Sequence, residues 1–374
     1  MAAVNLIKFL DRHIGPIICL ALSLFSFTKK NGSCKRILLI QLWGIGETVL
    51  CLPAINALRQ KYKNTTIDVL TTKRVNEAFY NNKNLDNVRV LSLNPFSIKW
   101  FILKNLRKYD LAIDMEEYLN ISAIIAFYAG KERIGYSHGI RSKLYTKKVV
   151  YNDKQHVSQT FMDLLKPLGI DKKVKNLEKL NYSDDDKKNV DGLLERNNIS
   201  KKEFIAGLGI GAAESVKERM WPKERFAAVA DYLAEKCNAK VIFAGNDNER
   251  SLADEAIRMM KNKDNAFNAA GQTTLREMFY LASLCKLFIG NDSGPMHVAA
   301  AQKARTIGLF GCNLPVRFAP FGKGNLSIRK QSGEPCINVH KGQVEKCRYG
   351  MENTCVKKIQ VKDVIEAINK IMKK

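Results

Sequence analysis

The sequence predicts an α/β protein of two domains, each a parallel sheet that helices cover on both faces. Short apolar strands alternate with helices along the chain, which is typical of parallel sheets buried on both sides. A strand, a glycine loop and a helix, the opening of a doubly wound unit, follow one another twice, from residue 37 and again from residue 204. The length of 374 residues also suits two domains.

The first domain is predicted over residues 35–180. It opens with the strand ILLIQL at 37–42, the loop WGIGET and the helix VLCLPAINALRQKY. The apolar residues of this helix recur at helical spacing, which predicts one side packed against the sheet. Three further strands are predicted at 67–72, 88–93 and 111–115.

The second domain is predicted over residues 200–355, with strands at 204–208, 240–245, 286–292 and 305–311. Between the domains, the charged and glycine-poor stretch 171–203 predicts a linker followed by a surface helix. The two domains are expected to face each other across a cleft. The last segment, 356–374, predicts an amphipathic helix whose apolar stripe contains Val364, Ile365, Ile368 and Ile371.

Residues 1–34 precede the first strand and are predicted to form a separate segment. An amphipathic stretch at 1–13 leads into the uncharged stretch Ile14–Phe27, and basic residues follow. Fourteen residues are too few to span a bilayer, and the signature of a signal-peptide cleavage site is missing. The segment therefore suits an interfacial anchor at anionic headgroups. A helical hairpin packed on the body of the protein is the alternative.

The chain carries 61 lysines and arginines against 37 aspartates and glutamates, a net charge of +24. This excess predicts an anionic partner, such as nucleic acid, an acidic membrane face or a phosphorylated substrate. The ordinary balance of apolar and charged residues excludes a disordered or collagen-like chain. A polytopic membrane protein is also excluded, because the sequence contains no run of 18 or more apolar residues.

The nine cysteines are scattered and odd in number, which indicates a reducing, cytoplasmic compartment. Only Cys336, Cys347 and Cys355 cluster, with His340 among them. Because the cluster has no C-x2-C pair, it favours free thiols over a zinc site.

The turn Gly44-Ile45-Gly46 sets Glu47 at the carboxyl edge of the first sheet. A dinucleotide site would need a third glycine where Val49 stands, so NAD binding is not predicted. A carboxylate at this position can act as a general base, or it can stabilise the start of the following helix. The residues alone do not choose between these two roles.

The second glycine loop contains Gly209 and Gly211, and the cations Lys217 and Arg219 precede a helix start at Pro222. Loop amides, a helix N-terminus and nearby cations make an anion site that suits a diphosphate. A solvated charged loop is the alternative.

The run GNDSGPMH at 290–297 follows a strand and opens a helix of small residues. The amides of Ser293 and Gly294 are expected to point at an anion, with His297 on the first helical turn beside it. An ordinary capped helix with a buried histidine is the alternative. The run is favoured as a site because α/β proteins bind ligands at the carboxyl ends of their strands.

Four stretches, KRILLIQLWGIGETVLCLPAINALR, KERMWPKERFAAVADYL, GNDSGPMHVAAA and GLFGCNLPVRFAPFG, resemble the family 9 glycosyltransferases, the ADP-heptose:lipopolysaccharide heptosyltransferase group. The resemblance covers about residues 35–370. It implies a GT-B fold and a metal-independent, inverting transfer of a heptose or similar sugar from a nucleotide sugar, without a cofactor. In that family the second domain holds the donor, and a lipid A–core glycolipid meets the first.

Carried over residue by residue, the resemblance places the family's base on Glu47, where an aspartate is usual. The lysine that contacts the donor phosphate falls on Arg219, with Lys217 as a nearby substitute. The acid that reads the donor ribose falls on Asp247 or Glu249. The predicted donor site is then Gly209, Lys217, Arg219, Asp247, Glu249, Asp292, Ser293, Gly294 and His297.

Residues 131–148 carry six lysines and arginines against one acid. This predicts either a binding site for a phosphorylated glycolipid or a generally basic surface. The candidate acceptor contacts are Arg133, Arg141 and Lys143. The predicted partners are an ADP-sugar, an anionic glycolipid and the cytoplasmic face of the inner membrane, without nucleic acid. The rival hypotheses are a non-enzymatic nucleic-acid or membrane-surface binder and a GT-B enzyme with another donor, such as a UDP-hexose.

Overall fold

Two six-stranded parallel sheets form the frame of the protein in this computed structural model, which describes residues 9–25, 34–212, 217, 219–330, 337–338, 343–344 and 355–373. One unit consists of Met1–Val174 with Asn338–Gln343, and the other of Lys175–Ile337 with Val344–Lys374. Each unit contains one of the two sheets. The prediction of an α/β fold with two doubly wound domains is therefore confirmed.

The sheet of the first unit contains six strands: β1 (Arg36–Ile40), β2 (Thr66–Thr71), β3 (Asn87–Val90), β4 (Tyr109–Asp114), β5 (Gly130–Tyr136) and β6 (Lys147–Val149). Their order across the sheet is β3-β2-β1-β4-β5-β6, and every neighbouring pair is parallel. The central strands β1 and β4 are almost wholly buried, as expected for a parallel sheet with helices on both faces.

In the part of the chain that the structure describes, the α-helices that accompany this sheet include α1 (Gly15–Ser23), α2 (Ile45–Lys61), α3 (Pro95–Asn105), α4 (Asn120–Ala129) and α5 (Val157–Asp163). Short 3-10 helices lie at Asn76–Phe79, Ile140–Leu144 and Lys166–Leu168. α4 is buried along nearly its whole length because α1 and α3 both pack against it.

The sheet of the second unit contains β7 (Phe204–Gly209), β8 (Ala239–Ala244), β9 (Ala266–Asn268), β10 (Leu287–Asn291), β11 (Arg305–Leu309) and β12 (Leu326–Ile328). Their order is β12-β11-β10-β7-β8-β9, again entirely parallel. Two further short strands, β13 (Ile337–Asn338) and β14 (Gln343–Val344), pair with each other.

The helices of the second unit are α6 (Asp184–Arg196), α7 (Lys223–Cys237), α8 (Arg250–Met259), α9 (Leu275–Leu284), α10 (Gly294–Ala301), α11 (Pro315–Phe318) and α12 (Val361–Met372). Short 3-10 helices lie at Asp247–Glu249, Lys263–Asn265 and Cys355–Lys358. Ser183 caps α6 in a capping box with Asp186, so the surface helix expected within 171–203 begins at a strong start signal.

All eight strands predicted from apolar runs are present, with ends shifted by up to three residues. Four strands of the two six-stranded sheets were not predicted: β5, β6, β9 and β12. β6, β9 and β12 are only three residues long and lie at sheet edges, whereas β5, next to an edge, carries the charged run Lys131-Glu132-Arg133. An edge strand needs fewer apolar residues than a central strand, so hydrophobic pattern alone misses it.

The helix α1 packs on α4, so the described part of the N-terminal segment belongs to the first unit. Gly15 makes the close approach, since a Cβ there would lie 2.6 Å from the Cβ of Asn120, and Cys19 is fully buried. The Asp11 carboxylate accepts hydrogen bonds from the amides of Asn120 and Ile121 at the start of α4, at 3.1 and 2.6 Å. Within the ranges that the structure describes, no helix is long and apolar enough to cross a membrane.

The predicted C-terminal helix is present as α12, and it is part of the second unit. Val364, Ile368 and Ile371 are buried in the same cluster as Trp221 and the helix α7. The Trp221 Nε1 donates a hydrogen bond to the carbonyl of Ile359 at 2.9 Å, which fixes the start of this last segment. Three residues of the predicted stripe therefore pack on the second core, and the fourth, Ile365, is only half-buried.

Candidate active site

Glu47 lies in the first turn of α2, where the chain leaves β1. Gly44 precedes the helix with a φ of 78°, a left-handed conformation that favours glycine. A Cβ on Gly44 would collide with the Glu47 carboxylate, so the glycine also makes room for that group. The hydroxyl of Thr48 donates to the Gly44 carbonyl at 2.7 Å and closes the turn. The glycine turn thus presents a half-buried carboxylate at the edge of the first sheet.

Glu116, two residues after β4, holds the loop that leads to Glu47. Its Oε1 accepts hydrogen bonds from the amides of Leu42 and Trp43 at 2.5 and 2.9 Å. Because β1 and β4 are neighbours in the sheet, this side chain joins the carboxyl ends of two adjacent strands. Burial raises the pKa of Glu116 to about 8, so the neutral carboxyl is favoured at neutral pH.

A buried ion pair supports the same edge of the sheet. Asp114, the last residue of β4, accepts hydrogen bonds from Arg141 at 3.2 Å, Tyr145 at 2.6 Å and Ser122 at 2.8 Å. Arg141 also donates to the backbone carbonyl of Glu116 at 2.5 Å. Burial alone would lower the pKa of Arg141, but Tyr145 and Asp114 keep it above its usual value. The guanidinium therefore stays charged and holds the chain after β4 in place.

A small, partly open pocket lies beside Glu47 within the first unit. Its polar lining includes the carboxyl groups of Glu47, Glu116 and Glu117, and its apolar lining includes Trp43 and Phe161. Carboxyl oxygens accept hydrogen bonds from hydroxyl groups, and aromatic rings pack against the C–H faces of sugars. The lining therefore offers hydrogen-bond acceptors and apolar surface next to a potential base.

Asn291 organises the corresponding edge of the second unit. It is the last residue of β10 and fully buried, and its Nδ2 donates to the carbonyls of Ile210 and Gly211 at 2.8 and 3.3 Å. Its Oδ1 accepts a hydrogen bond from the Trp221 amide at 3.0 Å. One amide side chain therefore fixes both ends of the described part of the loop that follows β7.

Arg219 and Asp292 form an ion pair at this edge. The Arg219 Nη1 lies 3.4 Å from Asp292 Oδ2, and it donates to the Asp292 carbonyl at 3.2 Å. Asp292 is buried and also accepts a hydrogen bond from Asn313 Nδ2 at 3.0 Å. A buried carboxylate repels a phosphate, so Asp292 contributes by orienting Arg219, whose side chain is one-fifth exposed.

The start of α10 lies directly after this ion pair. Ser293 is the N-cap, and its hydroxyl donates to the Asn291 carbonyl at 3.2 Å instead of capping the helix. The first amides of α10, beginning with Gly294, are thus available to an anion, and the helix dipole favours negative charge there. His297 is buried on the inner side of the helix, with its ring centre 6.4 Å from that of Phe318.

The two candidates for a ribose contact lie in different surroundings after β8. The Glu249 carboxylate packs against Gly211 and Gly245, where a Cβ would collide with it, and it accepts a hydrogen bond from the Asn246 amide at 2.8 Å. Burial raises the pKa of Glu249. Asp247 is exposed and lies beside Gly271, whose φ is 72°. Only Glu249 lies against the glycine loop that follows β7.

Gly209 and Lys217, the other two residues predicted in the second glycine loop, lie in different surroundings, and their roles in donor binding stay predictions. Gly209 is the last residue of β7, and a Cβ there would lie 3.1 Å from the Phe288 ring, so the packing of that ring already explains the glycine. Lys217 is exposed, whereas Arg219 holds the ion pair with Asp292. Residues 213–216 and 218 of this loop lie outside the described part.

The predicted basic patch at 131–148 is not a continuous surface. Arg133 is 1% exposed and donates to the carbonyl of Leu144 at 2.6 Å, and burial lowers its pKa to about 10. Arg141 is the buried partner of Asp114, so neither arginine lies at the surface as a grip on an acceptor would require. Lys143 is exposed, and its role as an acceptor contact stays a prediction.

Other residues near these sites were not predicted either. Glu116 and Glu117 follow the buried strand β4 directly, a position that could have indicated them. Asn313 contacts Asp292, and the buried Arg317 has its guanidinium 4.9 Å from the centre of the Phe318 ring, which in turn lies near His297. Both follow β11, which neighbours β10, so the same strand-end argument applies to them.

Among the described residues, no group of His, Cys, Asp and Glu side chains has the arrangement of a metal site. The cysteine cluster weighed as a metal site falls on Cys336, His340 and Cys347, outside the described residues. Its last member, Cys355, is buried as a free thiol.

Residues 101–348 match the model of glycosyltransferase family 9 (heptosyltransferase). The chain belongs to this family. It is therefore a glycosyltransferase, and the resemblance seen in the four sequence stretches is confirmed.

Several known proteins are similar to this glycosyltransferase, and their names support the family assignment. Lipooligosaccharide heptosyltransferase 2 of Campylobacter jejuni is 24% identical over 88% of this chain and 96% of its own length. A family 9 glycosyltransferase of Veillonella parvula has a TM-score of 0.76 at 20% identity, over 93% of this chain and 100% of that one. An Escherichia coli heptosyltransferase solved with ADP-2-deoxy-2-fluoro heptose has a TM-score of 0.65 at 15% identity, over 89% and 99%. The glycosyltransferase shares the GT-B fold of these structures.

The raised pKa of Glu116 predicts a pH dependence of the glycosyltransferase's stability. The folded state keeps this proton up to about pH 8, whereas the unfolded chain loses it near the usual value of 4.5. Between these values the unfolded state binds fewer protons, so the free energy of unfolding falls as the pH rises. Glu116→Gln cannot ionise and keeps an oxygen for the two amides.

We therefore expect the parent to lose stability relative to Glu116→Gln between about pH 5 and pH 8, by on the order of a few kcal/mol. The measurement is the melting temperature of both proteins across this range. Parallel pH profiles for the two proteins would contradict the raised pKa.

Proposed function

We propose that the protein transfers a heptose, or a similar sugar, from an ADP-sugar to a lipopolysaccharide core or related glycolipid, with inversion and without a metal ion. The observation that carries this proposal is the ion pair of Arg219 with Asp292 at the start of α10, because it makes an anion site in a family 9 glycosyltransferase. The donor class is supported by the ADP-heptose analogue bound to the Escherichia coli relative. The acceptor class is supported by the name of the Campylobacter jejuni relative.

The second unit would bind the donor. The diphosphate would lie at the amides of Ser293 and Gly294, with the Arg219 guanidinium neutralising its charge. His297 would form the inner wall of this site, since it is buried within α10. Glu249 is favoured over Asp247 as the ribose contact because its carboxylate lies against Gly211. These groups also stabilise the nucleoside diphosphate as it departs.

The first unit would bind the acceptor and supply the base. Glu47 would take the proton of an acceptor hydroxyl, whose oxygen would form a bond to the anomeric carbon of the donor sugar. The bond from that carbon to the diphosphate would break, and ADP would leave with its electron pair. Because attack and departure occur on opposite sides of the carbon, one displacement inverts the configuration.

The acceptor would also place the enzyme at the membrane. A lipopolysaccharide precursor is anchored in a bilayer, so we propose peripheral association with the cytoplasmic face of the inner membrane. The net charge of +24 favours an anionic surface, and no nucleic-acid partner is proposed. Residues 1–34 and the exposed Lys143 are the contacts proposed from the sequence.

A different nucleotide sugar is the remaining alternative for the donor, and a thermal-shift screen separates the two. A ligand that binds only the folded state at about one hundred times its Kd stabilises the protein by about 2.7 kcal/mol. We expect ADP-heptose to raise the melting temperature by about 5 °C, and UDP-hexoses to leave it unchanged. A larger rise with a UDP-sugar would replace the proposed donor.

Arg219 is expected to dominate the affinity for the nucleoside diphosphate. Arg219→Ala should weaken ADP binding by about tenfold to one-hundredfold, because it removes a charge-assisted contact. Asp292→Ala should weaken it in the same direction, since the carboxylate holds the guanidinium in place. Lys217→Ala is the matched control, because this nearby cation is exposed. Calorimetry with ADP gives the order, and a greater loss with Lys217→Ala would move the phosphate contact to that residue.

Glu47→Gln tests the base. A general base contributes about 10²–10⁴-fold to a rate, so kcat should fall by that factor while ADP affinity stays within about twofold. Glu47→Asp should keep activity within about tenfold of the parent, since it retains a carboxylate at this turn. Glu77→Gln is the control, because Glu77 is also an acid in the first turn of a helix. Full kcat in Glu47→Gln would assign Glu47 to stabilisation of the helix start instead.

A further inference from the structure

The helix α3 carries an apolar stripe on its outer face. Phe96, Trp100 and Leu103 are 78%, 53% and 58% exposed, and their spacing of four and three residues places them on one side of the helix. Leu106, just after the helix, is 53% exposed and extends the stripe. Single exposed apolar residues are common in proteins, but a row of large ones on one helix marks an interaction surface.

The inner face of α3 is apolar as well. Ile98, Phe101 and Ile102 pack into the core cluster beneath α4, which accounts for the stability of the helix in the fold. A helix that is apolar on both sides is normally buried in a protein or in a membrane. The packing of the first unit therefore uses the inner face of α3 and does not require the outer stripe.

The helix α1 exposes a second apolar face in the same unit. Gly15 and Cys19 face α4, whereas Ile17, Leu20 and Leu24 point away from it and are 67%, 48% and 81% exposed. Since α1 is apolar on both faces too, it repeats the pattern of α3.

These two faces lie on the same side of the first sheet. The connection from β3 through α3 to β4 and the connection from β4 through α4 to β5 move in the same direction across the sheet. Right-handed crossovers therefore place α3 and α4 in one helix layer. α1 packs against the other flank of α4, through Cys19 with Ala123 and Phe127. The layer thus runs α3, α4, α1, with an exposed apolar helix on each flank.

The charges around the stripe select the kind of partner. The segment 95–108 contains four basic residues and no acid, and 12–25 contains no acid either. Lys99 and Lys104 are exposed beside the stripe, and the Lys104 Nζ lies 4.7 Å from the centre of the Trp100 ring. Tryptophan and lysine together are typical of protein segments at the boundary between lipid headgroups and acyl chains.

We infer that the outer faces of α3 and α1 together form a two-part surface that binds an anionic lipid bilayer. The bilayer is favoured over a second copy of this chain because two surfaces of the same positive charge repel each other. The inference rests on the proposed function only in that the acceptor is taken to be a membrane glycolipid. It adds α3, which begins at Pro95, 80 residues after the start of α1 at Gly15, to the N-terminal contact.

The first experiment is flotation of the full chain with vesicles of phosphatidylcholine containing about one-third phosphatidylglycerol. The triple variant Phe96→Ser, Trp100→Ser, Leu103→Ser should reduce the bound fraction by about tenfold or more. The matched control replaces three exposed valines of the same unit, Val88, Val90 and Val150, by serine and should bind as the parent does. Binding by all proteins should weaken with vesicles of pure phosphatidylcholine.

The second experiment reads the position of Trp100 directly and does not depend on the triple variant folding. The difference between the emission of the parent and of Trp100→Phe isolates this residue from Trp43 and Trp221. We expect a blue shift of the difference spectrum with anionic vesicles, and quenching by brominated acyl chains. Ile17→Ser with Leu24→Ser should lower vesicle binding while Trp100 still shifts in the bound fraction.

Three outcomes would overturn the inference. They are unchanged binding by the triple variant, a Trp100 emission that vesicles do not alter, and a dimer lost only in the triple variant. The last would assign the surface to a second copy of the chain. The ADP thermal shift without vesicles tests the proposed function separately. If Trp100 inserts but ADP-sugars give no thermal shift, the membrane-binding surface stands and the proposed donor is wrong.

Discussion

The candidate active site of the first unit depends on one buried carboxyl group, that of Glu116. The Oε1 of Glu116 accepts hydrogen bonds from the amides of Leu42 and Trp43, and these fix the loop that ends in the Gly44 turn. The two amide hydrogen bonds offset part of the free-energy cost of removing this group from water. Burial also raises its pKa, so the carboxyl stays neutral and needs no counter-ion. Behind it, Asp114 and Arg141 pair in the interior and hold the chain after β4. The position of Glu47 depends on these contacts.

The second unit uses the same construction with a neutral group. Asn291 ends β10, which neighbours β7, just as Glu116 follows β4, which neighbours β1. In each unit a polar side chain at the end of one strand holds the loop that leaves the adjacent strand. The two halves, which have no visible sequence repeat, therefore share one way of holding a glycine loop at the carboxyl edge of a parallel sheet, where α/β proteins commonly bind ligands.

The sequence predicted most of the fold because central parallel strands are apolar on both sides, and such runs are visible without any knowledge of contacts. The strands β5 and β6 were not predicted because their residues are largely polar, and their burial depends on the elements packed against them. Arg133 and Arg141 were expected at the surface, yet both are buried. The partner of Arg141 is Asp114, 27 residues earlier, and spacing in the sequence does not indicate such a pair. In the candidate site, Arg219 and the GNDSGPMH turn were predictable from residue type and position, whereas the orienting role of Asp292 required its contacts.

The helix layer of α3, α4 and α1 has a consequence for how the enzyme would meet its acceptor. Helices in a doubly wound unit run antiparallel to the strands, so a layer resting on lipid keeps the strand axes along the plane of the bilayer. The carboxyl edge with Glu47 then opens sideways, over the neighbouring headgroups. An acceptor would arrive by lateral diffusion within the leaflet, and the rate of transfer would follow its density per unit area of membrane rather than its concentration in bulk solution. Diluting the acceptor with inert lipid at constant total acceptor would then slow the enzyme.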